Sequence, residues 1–164
     1  MTRDANSDHI NPSSSNQEYA NRVLAEMWPA ERRCPLPPPY VDARGSIQNV
    51  LLSPVSSVVV IDSKAGTVRA NHYHKTDWHF CYVVSGRIRY YERAIGSKDI
   101  PEPIDLGPGS LFFTPPMVEH AMVFTEDTIF LTLSRNTRTH EGHEEDLVRV
   151  EFISPDLARS MASR

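Results

Sequence analysis

Several protein classes are excluded by what this chain lacks. Only two cysteines, Cys34 and Cys81, occur in 164 residues, and they lie far apart. Two cysteines cannot build a disulfide scaffold, and the simplest reading is two reduced thiols. No apolar run approaches the roughly 20 residues that a bilayer-spanning helix needs. Basic residues are not in excess: 17 Lys and Arg stand against 21 Asp and Glu, for a formal net charge of -4. There is thus no cationic field to hold nucleic acid or an anionic membrane surface. The amino-terminal MTRDANSDHINPSSSNQ has no apolar core segment and does not read as a secretory signal. The expectation is a cytoplasmic protein with a small-molecule partner. Beyond Tyr40, helical periodicity is missing as well.

A hydrophobic content of 40% and one ordinary domain length remain, enough for a sizeable core. Residues 1–16 are rich in Ser, Asn and Asp and are expected to form a disordered tail. In Gln17 to Met27, Tyr19, Val23, Leu24 and Met27 share a helical face. Pro35, Pro37, Pro38 and Pro39 then enforce an extended linker, so residues 17–39 read as a helical arm and linker. Such an arm can pack on a second barrel, which predicts a homodimer. Residues 40–155 read as strands: IQNVLL, SSVVVID, TVRANHYH, WHFCYVVS, RIRYYER, SLFFTP, AMVFTE, TIFLTLS and LVRVEFI are short and rich in β-branched and aromatic residues. Turn signals such as Ser85-Gly86 and Gly107-Pro108-Gly109 separate them at intervals near ten residues. That spacing predicts an all-β barrel, followed by a tail over 156–164.

Four of the seven histidines carry the chemical signal. His72 and His74 are two apart on a predicted strand, so their side chains share a face. His79 follows on the next strand, in phase with Cys81 and Val83, and His120 comes just after Pro115-Pro116. Imidazole is the commonest ligand of zinc, iron, copper and nickel. Converging imidazoles therefore point to one divalent transition metal (Zn, Fe, Ni or Mn). A hydrogen-bonded, metal-free polar cluster is the other reading. Asp77 is an alternative to His79 as ligand or outer partner, and His9, His140 and His143 read as surface residues.

The spacing of the set resembles the cupin superfamily. Gly66, His72-x-His74, His79 and Gly86 match its first motif, and Gly109, Pro115 and His120 match its second. Three positions depart: His79 stands where the motif has glutamate, Met117 where it has glycine, and Phe124 where it has asparagine. With His79 as ligand the site would be all-nitrogen and neutral, leaving an ion's charge free to polarise a substrate. The resemblance implies a single cupin β-barrel, or jelly roll, in 40–155.

Asp42-Ala43-Arg44-Gly45 and Arg69-x-x-His72-x-His74 further resemble sugar-nucleotide-modifying cupins, among them 3,5-epimerases and 3,4-ketoisomerases; Asp42 to Gly45 reads equally well as an ordinary turn. This resemblance implies an isomerase or epimerase that moves a proton beside the ketone of a nucleotide-linked keto sugar or related carbohydrate. Tyr91 and Tyr73 are then the candidates for proton exchange, and Lys75, Arg87 and Arg89 for binding a diphosphate. Two further functions fit the same histidines: a mononuclear non-haem dioxygenase, which needs open metal positions, and a non-catalytic module closed by zinc.

Overall fold

The computed structural model describes residues 28–163; the expected tail and the helix at 17–27 fall outside them. Twelve strands and two helices follow in chain order: β1 (Arg33–Cys34), β2 (Tyr40–Asp42), β3 (Gly45–Ile47), β4 (Ser57–Ser63), β5 (Val68–His74), β6 (His79–Ser85), β7 (Ile88–Arg93), β8 (Ile104–Leu106), β9 (Leu111–Thr114), β10 (Glu119–Phe124), β11 (Thr128–Ser134), α1 (His140–Asp146), β12 (Leu147–Arg149) and α2 (Pro155–Ala162). The order β1-β9-β6-β11-β4 makes one five-stranded sheet and β12-β5-β10-β7-β8 a second, and β2 and β3 form a separate hairpin. All pairings are antiparallel.

Alternation along the strands builds the interior. Cys81, Val83, Phe112 and Phe130 of the first sheet meet Ile88, Tyr90, Leu106, Met122 and Phe124 of the second in one buried cluster. Phe124, at the position of the motif asparagine, stacks on Phe130 with ring centroids 5.8 Å apart. β10 is buried along its whole length. Met122 and Phe124 face the interior, while Ala121 and Val123 face a second cluster with Tyr91, Phe152, Ile153 and Ala158. The expected C-terminal tail is thus corrected. Ser154 caps α2 by accepting from Leu157 N, Pro155 opens the helix, and Ala158 is fully buried.

Register on β5 decides which face the histidines take. Val123, Met122, Ala121 and His120 pair with Val68, Arg69, Ala70 and His72, so Asn71 is an extra residue, a β-bulge. Ala70 and Asn71 take φ of 69° and 53°. Val68 packs in the outer cluster; strict alternation would carry His72 and His74 outward with it. The inserted residue reverses the phase and sends them inward. Asn71 is also a clamp. Its side chain donates to Ile153 O (2.9 Å) and accepts from Ile153 N (3.1 Å), and its own carbonyl accepts from Val150 N (2.8 Å).

One expected strand is revised, and the turn over Asp42 to Gly45 is found. Of the expected strand IQNVLL only Ile47 lies in a strand; the residues that follow have no regular structure, and Pro54 brings no N–H to a ladder. Asp42 to Gly45 is the turn of the β2–β3 hairpin, in which Asp42 Oδ1 accepts from Arg44 N (2.8 Å) and Oδ2 pairs with the Arg44 guanidinium (2.6 Å). Cys34 and Cys81 are free thiols.

Asn71→Ala is expected to cost about 3 kcal/mol, because it unpairs both backbone groups of buried Ile153 and puts a Cβ-bearing residue without a local hydrogen bond at positive φ. Urea unfolding checks this. Asn71→Gly, which relieves only the backbone, should unfold at a midpoint between those of the alanine variant and wild type, and equal midpoints for all three would remove the clamp.

Candidate metal and ligand site

The bulge aims His72 and His74 at His120, which pairs with His72 across the sheet. Ring centroids lie 4.8 Å apart for His72–His74 and for His72–His120, and 5.7 Å apart for His74–His120. One ring nitrogen from each of the three falls within 4.8 Å of the other two. His79 opens β6, between Thr114 and Ser134, and approaches from the opposite sheet. Its ring lies 5.3 Å from His74 and 5.6 Å from His120, outside the close triplet.

The unused nitrogens show what the site fits. His74 Nε2, His120 Nε2 and His79 Nδ1 are buried without a hydrogen-bond partner. The opposite nitrogens of the first two are engaged: His74 Nδ1 lies 3.0 Å from Asp146 Oδ2, and His120 Nδ1 lies 3.2 Å from Val118 O. That fixes the tautomer with Nδ1 protonated and leaves each Nε2 lone pair free, as a metal-ligating histidine requires. Buried acceptors without donors are costly. The donor set therefore fits a divalent transition ion on His72, His74 and His120, with His79 adjacent.

Burial governs the electrostatics. Desolvation, followed by repulsion from neighbouring imidazoles, lowers His72 to about 2. Burial likewise brings His120 to about 3 and holds His79 well below its ordinary value. His74 drops to about 4, with the Asp146 contact opposing desolvation. Burial would raise the Asp146 carboxyl, but hydrogen bonds from Thr76, His74 and Asp77 N outweigh it and hold it low. Asp77 is raised to about 6 by burial. It sits behind His74 beside Asp146, accepting from Asn136 N (2.9 Å), so it belongs to the outer layer rather than to the triplet.

A cavity of about 170 Å³ opens beside the histidines, floored by Ile61, Met122 and Phe130 and lined on its polar side by Arg69, Thr132, Arg138 and His143. His143 corrects the expectation of a surface residue: α1 brings its ring to 5.7 Å from His74 and 6.5 Å from His72. The polar HEGHEED has no periodicity that announces a helix, although Thr139 caps it.

None of the five residues assigned to catalysis or substrate binding lines this cavity. Tyr91 packs outward in the cluster under α2, and Tyr90 is the interior member of the pair, its ring 6.3 Å from His120. Tyr73 alternates with His72 and His74, and so faces away from them. Lys75 Nζ donates to Glu145 O, Arg87 is exposed with Nε 3.5 Å from Glu126 Oε1, and Arg89 holds Met161 O and Asp105. Met117 has φ of 59°. The glycine of the motif meets a backbone requirement there that this chain satisfies at a steric cost.

The facing antiparallel sheets with an inward histidine cluster define a cupin jelly roll, and residues 59–134 match the family described as the cupin domain. In fold the chain resembles sugar-nucleotide epimerases and ketoisomerases. The QdtA 3,4-ketoisomerase from Thermoanaerobacterium thermosaccharolyticum, solved as a double mutant with TDP, is 21% identical with a TM-score of 0.54, covering 77% of this chain and 89% of that one. The RmlC epimerase of Mycobacterium tuberculosis is 18% identical (TM-score 0.58, 75% and 70% covered). ChmJ, a 3'-monoepimerase from Streptomyces bikiniensis in complex with dTDP-quinovose, is 19% identical (0.59, 75% and 71%). No curated protein sequence matches this chain. Among the described residues, no helix is long and apolar enough to cross a membrane.

The depressed imidazoles set a pH dependence. The fold holds them neutral, so the unfolded chain binds more protons once pH falls below 6.5. Stability present above that pH is lost as it falls toward about 4 for His74, and lower still for His120 and His72. Asp77 works in the opposite sense, gaining stability as pH falls through about 6, but it is one group against four. The urea midpoint of chelator-treated protein is expected to fall steadily from pH 7 to about 4, and a flat profile would contradict the buried cluster.

Proposed function

We propose that this cupin is a metal-dependent isomerase or epimerase acting on a keto sugar, nucleotide-linked or not, or on a related carbohydrate. The observation that carries it is the pair of buried, partnerless Nε2 atoms of His74 and His120 converging with His72 beside an open cavity. A divalent ion there would supply Lewis acidity to a carbonyl oxygen, which acidifies the neighbouring C–H. His72, His74 and His120 would hold it, and Asp146 would fix the His74 ring. His143 is the proton acceptor best placed for the carbon beside the carbonyl: it lines the cavity and is half-buried, and burial lowers it without the full desolvation that acts on His79. The structural neighbours support the substrate class, since their names are those of sugar-nucleotide isomerases and epimerases. At about 170 Å³ the cavity lies below the roughly 300–1,000 Å³ that encloses a drug-sized ligand, so a nucleotide would extend outside it.

One observation favours a second reading. His79 outside the close triplet leaves positions open for oxygen and substrate, as a mononuclear iron oxygenase requires. The same geometry and the adjoining cavity weigh against a closed structural zinc. The homodimer draws support from the outward face of β4, the edge strand of the first sheet, where Val58 and Val60 are 59% and 68% exposed; a monomer mass by light scattering would remove it.

Metal analysis of protein purified without added metal or chelator is expected to find near-stoichiometric zinc, nickel or manganese, lost in His72→Ala. Asp146→Asn should weaken metal affinity about 10- to 100-fold while the fold is retained. With metal bound, a keto-sugar substrate should take up solvent deuterium at the carbon beside the carbonyl, and His143→Gln should abolish that uptake. Stoichiometric iron with oxygen consumption would replace this reading by the oxygenase, and a folded, metal-free wild type would end it.

A further inference from the structure

The cavity carries positive charge with nothing on its wall to balance it. Among the described residues no acidic side chain lines it, whereas Arg69 and Arg138 both do. Arg69 is engaged: Nε donates to Ser63 Oγ (2.7 Å) and Nη2 to Asp62 O (2.9 Å). Among the described residues Arg138 is held only through Nε, which donates to Ser134 Oγ (3.2 Å), and it forms no ion pair. Its outer nitrogens, the fork that grips an oxyanion bidentately, are therefore free.

Its surroundings sharpen the point. Arg138 lies close enough to all five imidazoles, His72, His74, His79, His120 and His143, to oppose their protonation. Asp77, whose carboxyl feels the Arg138 charge without an ion pair to it, and Asp146 stand behind His74 and are committed to Asn136 N, Thr76 and the His74 ring. A half-buried guanidinium facing neutral imidazoles is an expensive arrangement unless an anion completes it.

We propose that Arg138 is the anion-binding residue of this site and that the substrate carries an oxyanionic group, the carboxylate of a sugar acid or the phosphoryl group of a sugar phosphate, within one sugar's length of the histidines. The inference rests on the isomerase reading for the sugar, but the anion site itself does not depend on the metal. Arg138 orients the substrate so that its neutral oxygens meet the imidazole cluster. The same guanidinium disfavours neutral sugars, which leave it unpaired.

The test is calorimetric titration of wild type, Arg138→Gln and Arg138→Lys, each metal-replete and chelator-treated, with D-glucuronate, its uncharged methyl ester and glucose 6-phosphate. One or both anions should bind wild type about 10- to 100-fold more tightly than the ester does, and Arg138→Gln should lose that margin with metal content and circular dichroism unchanged. Arg138→Lys should retain part of it. Glucuronate alone identifies a sugar acid, and glucose 6-phosphate alone a sugar phosphate. Equal binding of the ester overturns the proposal in wild type alone, whatever the variants do. Tight binding of a nucleoside-diphosphate sugar with no loss in Arg138→Gln overturns it while leaving the isomerase reading intact. Arg138-dependent anion binding by a protein that holds no metal would sustain the anion site and remove that reading.

Discussion

One extra residue in β5 organises the molecule. Val68 belongs to the outer cluster beneath α2, and an uninterrupted strand would put every second residue after it on that same face. Asn71 breaks the count, and His72 and His74 turn inward toward His120. The same residue pairs with both backbone groups of Ile153, fastening the C-terminal segment over the outer face. Burial of Ala121 and Val123 under α2, and of His120 and Met122 inside, follow together from that register. The left-handed backbone at Ala70 and Asn71 is the cost of placing the chemistry, and two hydrogen bonds to buried backbone offset it.

Burial then does to the histidines what the bulge does to their direction. Four imidazoles packed this closely cannot share the interior as cations, so each is held neutral and offers a lone pair rather than a charge. Asp146 takes the His74 Nδ1 proton into a hydrogen bond and is itself stabilised by Thr76, so the inward nitrogen has its orientation decided from outside the barrel. The result is a cluster whose unmet demand is for positive charge at its centre, beside an arginine whose unmet demand is for negative charge.

The sequence was most legible where alternation and turn residues act together. The strands from Ser57 to Ser134, apart from β8, appear near their expected positions, and the histidine spacing announced the inward cluster. Parity alone could not say which face β5 presents, because Asn71 looks like any other strand residue until the register of β5 against β10 is known. The same limit misplaced Tyr91: of two adjacent tyrosines only one faces the core, and register with Met122 selects Tyr90. Ile104–Leu106 was too short, amid prolines, to register as a strand. The helix of residues 155–162 did carry a readable start, Ser154-Pro155, that strand-like surroundings obscured. His143 and Asp146 were hidden for a different reason, since HEGHEED is polar on every side and its role depends on where the preceding strand releases it.

That segment bears on how far resemblance reaches. The cupin domain match ends at residue 134. Arg138, His143 and Asp146, which supply the cation, the half-buried imidazole and the support for His74, all follow it. So the matched barrel brings the four histidines together, while the twelve residues between Ser134 and β12 add Arg138, His143 and Asp146 to the site. A fold-level likeness at about one-fifth identity shows the barrel alone and says nothing of what Arg138 binds. The anion that satisfies this arginine is therefore a property of this chain's own sequence.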